Sequence, residues 1–393
     1  MRIALISGIP GPRQAPEDDD DYPAGPAQQV SALATALARL DTEVTVYAPA
    51  ARPGPGFPGP EVPGPEVPGP SSPAPGSPGP GPDLRAFAEQ LARRWRREAP
   101  DVVHAQSWAA GVAALAGARD LNLPTVQTFR SVPTPARRRR GPGADPIRVQ
   151  LALARAVRAV LVSTSDAGSA LCRLGIPRAA IRVVPCGVDT GQFNPDGPVA
   201  ERGARPRLLM VAGLADDPGP ATALRALADV PGAELVIAGG PPARQLAGDP
   251  GYQALARLAG QLGVADRVSF TGRVRKADMP ALMRSADLLL NLGAEEPQAM
   301  VTVDAMACGV PVVAAGTGLH ADAVIDGTTG LLVPPAEPVL LARRVRQLLA
   351  SPMLEGMAIA AASRAADRYS WARISQETLA VYERAALRPR TVG

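Results

Sequence analysis

Ala286-Asp-Leu-Leu-Leu-Asn-Leu-Gly-Ala-Glu-Glu-Pro-Gln-Ala-Met-Val-Thr-Val-Asp-Ala-Met-Ala-Cys-Gly-Val-Pro-Val-Val313 is the stretch that decides the fold. Asp287 to Asn291 is short and almost wholly apolar, as a strand buried on both faces must be. An acidic loop follows, Val301 to Ala307 opens a helix, and a Gly-Val-Pro turn leads into a second apolar strand, Val310 to Ala314. Strand, loop, helix and strand make the βαβ unit of a parallel sheet.

The same alternation runs outward in both directions. Towards the N-terminus, Arg207 to Ala212, Glu234 to Ala238 and Val268 to Thr271 read as strands. Ala221 to Leu227, Gly251 to Leu262 and Met279 to Ser285 read as the helices between them. Towards the C-terminus, Gly330 to Val333 is a last strand and two or more helices finish the chain. A first run of the same kind precedes it. Ile3 to Ser7, Glu43 to Tyr47, Asp101 to His104, Thr125 to Phe129, Ala159 to Thr164 and Ile181 to Pro185 are strands, with helical spacing between them. Two such runs predict two doubly wound α/β domains facing each other, with ligands at the carboxyl ends of the strands, in the cleft between them. The polar, Pro- and Gly-rich residues Asn194 to Pro206 read as the linker. The expected bounds are therefore 1–197 and 198–371, with a C-terminal helix over 372–393. Within the first domain, 53–83 is a Pro/Gly-rich low-complexity insertion that buries too little apolar surface to offset its ordering entropy.

Composition limits the function classes. Hydrophobic residues are 46% and aromatics only 3%, so the cores must be built from Ala, Val and Leu. The pI near 9.3 accompanies 41 basic against 37 acidic residues and a single lysine, Lys276. With no base-reading helix beside it, this reads as compositional bias, and no nucleic-acid partner is expected. Cys172, Cys186 and Cys308 are far apart, with no zinc or redox spacing. No apolar run reaches the roughly 18 residues of a membrane span, and the N-terminus lacks the form of a signal peptide. A soluble, cytoplasmic protein without an integral membrane segment is the expectation, which leaves room for peripheral membrane contact.

In the decisive stretch Glu296 lies at the mouth of the helix and Asp304 two turns into it. At about 100° per residue, the two carboxylates fall on nearly the same face. The free N–H groups and dipole of that helix suit a diphosphate, and the carboxylates suit sugar and ribose hydroxyls. The same charges also suit the first turn of an ordinary surface helix.

These residues resemble the Glu-x7-Glu region of the retaining family-4 glycosyltransferases of the GT-B fold. Ala305-Met-Ala-Cys-Gly-Val-Pro-Val-Val313 matches that family's wording. Val184-Pro-Cys-Gly-Val-Asp189, Phe270-Thr-Gly-Arg-Val274, Gly327 to Pro335 and Tyr369-Ser-Trp371 resemble its other passages in order. The resemblance implies a C-terminal helix that crosses back onto the first domain. It implies that the donor is a nucleotide-diphosphate sugar, UDP- or GDP-linked, transferred with retention and with no metal or cofactor. It places Glu296, Gln298, Ala299 and Met300 at the donor sugar, Asp304 at the ribose, and Arg273 and Val274 near the base. Gly25, His104 and Arg130 fall on the acceptor side, where His104 equally suits a packing role. The sequence departs from the family where an Arg and a Lys neutralise the diphosphate. Gly213 and Pro218 stand there, and neither carries charge. Arg130 and the Arg137 to Arg140 run are candidates to supply it, although that run reads first as a solvated loop. Two readings follow: an active hexosyltransferase acting on a small-molecule, lipid or glycan acceptor, or a glycosyltransferase-like protein that binds without catalysing. A sugar epimerase of the same architecture fits the wording around Asp304 less well. Donor base, acceptor and oligomeric state are not encoded in these motifs.

Overall fold

The apolar strands collect into two sheets, each of six parallel strands among the described residues. The structure, a computed structural model, describes residues 1–7, 22–23, 25–49, 84–130, 146–215, 217–293 and 296–387. The insertion 53–83, the acidic run Glu17 to Asp21 and the Arg137 to Arg140 run lie outside these residues.

The first unit contains β1 (Arg2–Ile6), α1 (Pro26–Ala38), β2 (Glu43–Tyr47), α2 (Leu84–Arg97), β3 (Val102–Ala105) and α3 (Trp108–Ala118). It continues through β4 (Thr125–Phe129), α4 (Pro146–Ala156), β5 (Ala159–Val162), α5 (Ser165–Arg173) and β6 (Ile181–Val183). The strand order is β2-β1-β3-β4-β5-β6. The chain lays β2 on one side of β1 and everything later on the other, so the topology reverses between β1 and β3. Parallel neighbours need a crossover, and the helices supply it. The basic end of α2 splits by face: Trp95 is fully buried, edge-on to Tyr47 at 6.0 Å between ring centroids, while the arginines beside it point to solvent. Ser107 caps α3 by accepting a hydrogen bond from the Ala110 N–H at 3.1 Å.

The second unit contains β7 (Arg207–Val211), α6 (Gly219–Ala228), β8 (Glu234–Ala238), α7 (Pro250–Gln261), β9 (Val268–Gly272), α8 (Met279–Arg284) and β10 (Leu288–Asn291). It goes on to α9 (Glu296–Ala307), β11 (Val312–Ala315), α10 (Gly318–Ala323), β12 (Gly330–Val333), α11 (Pro338–Leu349) and α12 (Leu354–Tyr369), and α13 (Trp371–Leu387) begins in it. The order is β12-β11-β10-β7-β8-β9, with the reversal between β7 and β10. Alternate residues of each strand feed two cores. Leu209, Val211, Val236, Leu289 and Val312 pack on one face with α9 and α12. Leu208, Met210, Leu235, Ile237 and Val313 pack on the other with α6, α7 and α11. This two-sided burial is why the strands read as continuous apolar runs.

The units divide at Val184/Pro185 and at Ile374/Ser375, against the 197/198 and 371/372 expected from the sequence. The cause is packing. Val188 and Phe193 are buried in the second unit's core, ahead of the polar stretch that looked like the linker. The described C-terminal residues 375–387 belong with the first unit. Tyr22, Pro23 and Gly25 belong with the second, which periodicity gave no sign of.

Candidate functional site

The reversal in the second sheet brings two loops together. One follows β7 and contains Gly213 and Pro218; the other follows β10 and leads to Glu296. Their proximity is direct: a Cβ built on Gly219 would lie 3.5 Å from Cβ of Leu292. Parallel α/β sheets bind ligands at such a point. The helix read from the sequence forms as expected, and α9 begins at Glu296. Ala299 and Met300 are buried in its first turns.

Asp304 also lies on α9, but it is not an open carboxylate. It is 7% exposed, and its Oδ2 accepts a hydrogen bond from the Tyr22 hydroxyl at 2.6 Å. Tyr22 sits in the second unit's core, with its ring 6.0 Å from that of Phe193. Burial pushes the Asp304 carboxyl up from 3.8 to about 7. The Tyr22 hydrogen bond and the charge of Lys276 oppose that rise, and the charge of Asp189 adds to it. Burial is also the first cause of the raised Tyr22 hydroxyl, followed by the Asp304 charge. No sequence pattern links two residues 282 positions apart, so this pair was not foreseen.

Glycine turns close the carboxyl ends of β8 and β9. Gly239 has φ +131°, and a Cβ on it would lie 2.2 Å from the Ala212 carbonyl oxygen. Arg273, past the Gly272 turn, is exposed, and its N–H donates to the Pro241 carbonyl at 3.0 Å. Val274 packs against the core beneath.

In the first unit His104 is 1% exposed, and both ring nitrogens are engaged. Nδ1 lies 2.6 Å from the Tyr382 hydroxyl and Nε2 2.7 Å from Oγ1 of Thr128. Burial, with a smaller effect from the Arg130 charge, lowers His104 to about 3, so the ring is neutral. This is the packing role that the sequence left open: His104 pins α13 to β3, and an acceptor would have to displace one of its partners. Gly25 immediately precedes α1, whose first residue, Pro26, has no N–H to offer.

Two family models divide the chain at residues 192–196. A family model described as Glycosyltransferase Family 4 matches residues 23–192, and one described as Glycosyl transferases group 1 matches residues 196–365. The chain belongs to this glycosyltransferase family. It is 33% identical over 320 residues to D-inositol 3-phosphate glycosyltransferase of Mycobacterium tuberculosis, covering 77% of this chain and 66% of that protein. The chain thus spans slightly under two-thirds of the length of these curated relatives. Among solved structures, sucrose-phosphate synthase from Thermosynechococcus elongatus superposes with TM-score 0.74 at 22% identity, covering 98% of each chain. A glycosyltransferase from Rickettsia africae gives 0.71 at 14% identity, covering 99% of each. Anabaena HepE, solved in complex with UDP and glucose, gives 0.66 at 19%, covering 97% of this chain and 99% of its own. The two six-stranded parallel sheets are those of the GT-B glycosyltransferases.

Against that family the loop after β7 stands out. Gly213 is exposed, and no atom lies within 4 Å of where its Cβ would sit. Pro218 is exposed beside the first residue of α6. Among the described residues of this loop, the side chain that does bear charge is acidic: Oδ1 of Asp217 accepts the Gly219 N–H at 2.8 Å. An anion thus occupies the helix end that would otherwise attract a phosphate. Asp217 stands one residue before the N-cap Pro218, and the N–H it accepts is that of the first helical residue.

Proposed function

We propose that this chain transfers a hexose from a UDP- or GDP-linked sugar to a small-molecule, lipid or glycan acceptor, with retention at the anomeric carbon. The observation that carries the reading is the start of α9 at Glu296, at the reversal of the second sheet, within the group 1 region. Glu296, Gln298, Ala299 and Met300 hold the donor sugar, and the first amides of α9 face the diphosphate. Asp304 takes the ribose once Tyr22 yields its oxygen, and Arg273 and Val274 flank the base. The diphosphate leaves without a metal. The binding of UDP and glucose by HepE, a protein of the same fold, supports the donor class. The protein works in the cytoplasm, where its three cysteines, none of them in a disulfide, stay reduced. Arg130 and Gly25 remain the acceptor-side candidates.

A second reading rests on Gly213, Pro218 and Asp217: the chain binds a donor or a partner without catalysing. Loss of one preorganised electrostatic interaction costs about 10²- to 10³-fold in rate. Calorimetric titration with UDP, GDP and their sugars separates these readings from failure of both. Micromolar binding that Glu296→Ala abolishes, followed by turnover on an acceptor panel, supports the enzyme. Binding without turnover supports the second reading. No heat from a folded protein sinks the donor site altogether.

A further inference from the structure

We infer that His320 is a positioning residue for the donor-sugar carboxylate Glu296, fastening the backbone before α9 to the interior of that helix. The inference rests on the donor reading of Glu296 given above. His320 is one of only two histidines in the chain, and neither the fold nor the proposed chemistry accounts for it.

Three hydrogen bonds define its role. Asn291, the last residue of β10, donates through Nδ2 to Oγ1 of Thr302 at 3.1 Å. The Thr302 hydroxyl lies 2.8 Å from His320 Nδ1. His320 Nε2 lies 2.7 Å from the carbonyl oxygen of Gly293. A carbonyl can only accept, so Nε2 carries the proton. Burial, partly opposed by the Gly293 carbonyl, holds the ring below its ordinary pKa, so Nδ1 is the acceptor for the Thr302 hydroxyl. The relay then runs in one direction, Asn291 to Thr302 to His320 to Gly293, with a donor matched to an acceptor at every step. His320 and Thr302 are fully buried and Asn291 is 4% exposed, so water does not compete.

Gly293 lies three residues before Glu296 and Thr302 six after it. One ring therefore holds the chain on both sides of the helix start, with about 9 Å of helix between Glu296 and Thr302. Polar side chains in this apolar core are otherwise costly, and a leucine would fill the space more favourably. Their retention in a closed relay is explained by placement: a misplacement of about 1 Å at a reacting group can cost about 10²-fold. His320 itself touches no substrate.

The test compares His320→Leu and His320→Gln with the unaltered full chain. The Gln amide keeps a donor and an acceptor in a similar spread; Leu keeps only volume. Calorimetry measures UDP and UDP-glucose, and GDP with GDP-glucose, and hydrogen exchange follows the peptide spanning residues 289–303. We expect His320→Leu to weaken the nucleotide sugar about tenfold or more and free nucleotide by a clearly smaller factor, because a loosened start of α9 bears on the diphosphate of both through its amides and on the sugar through Glu296 as well. Exchange in that peptide rises, and His320→Gln restores most of both. Equal weakening of nucleotide and nucleotide sugar, or a Gln variant no better than Leu, overturns the positioning role while leaving the donor reading intact. No nucleotide binding by the unaltered, folded chain overturns the donor reading, and the inference with it.

Discussion

Asp304→Asn removes a charge that this fold is poorly built to hold. The Asp304 carboxyl titrates near 7 in the folded chain against 3.8 as an ordinary side chain, chiefly because it is buried. Its folded pKa is raised, so the stability it contributes is present at low pH and is lost as pH rises through 7. At about 1.4 kcal/mol per tenfold, the ionised side chain costs the fold about 4 kcal/mol once pH is well above 7. Part of that cost is already present at mild acidity, because the unfolded chain ionises first. Between about pH 5 and about pH 8 the additional loss is about 2 to 3 kcal/mol. Asparagine keeps an oxygen for the Tyr22 hydroxyl and never ionises. Urea denaturation of both proteins across that range, followed by far-ultraviolet circular dichroism and tryptophan fluorescence, gives the difference directly. The other carboxylates cancel in the comparison. The variant should gain on the unaltered protein by about 2 to 3 kcal/mol as pH rises from about 5 to about 8. A difference independent of pH would refute the reasoning, because it would mean that Asp304 ionises in the fold as easily as in water.

Three further outcomes are expected. The paired change Gly213→Arg and Pro218→Lys places two cations in an open loop, and should tighten UDP-sugar binding by about 10- to 100-fold in calorimetry, each charge-assisted bond contributing about 1.5 to 3 kcal/mol less its ordering cost; unchanged affinity would mean that the loop does not face the diphosphate. Tyr382→Phe leaves His104 Nδ1 without its partner at 2.6 Å, and should lower stability to urea by about 1 to 3 kcal/mol without changing nucleotide affinity. Gly239→Ala puts a Cβ 2.2 Å from the Ala212 carbonyl at φ +131°, and should cost about 2 kcal/mol or more in thermal denaturation.

Much of the fold was legible because its information is local. Short, nearly continuous apolar runs and 3.6-residue spacing marked the strands and helices of both units, and α9 starts at Glu296, which the sequence placed at the mouth of the helix. The linker was harder to see. Asn194 to Pro206 has the composition of a linker, yet Val188 and Phe193 before it are core residues of the second unit. Composition reports what a segment could do, and burial depends on which surface it meets.

The candidate site divides along the same line. By itself the sequence determined the two α/β units, the family, the helix that carries Glu296 and Asp304, and the absence of charge at Gly213 and Pro218. Each of these follows from residue types at fixed short spacings. The tertiary structure alone decided that Tyr22 covers Asp304, that His104 joins Tyr382, and that His320 closes a relay onto Gly293. The first two pairs lie 282 and 278 residues apart and exist because the sheets and helices pack them together. Burial then changes their chemistry: the low dielectric that raises Asp304 and neutralises His104 is a property of the packed surroundings, and no residue carries it in its identity.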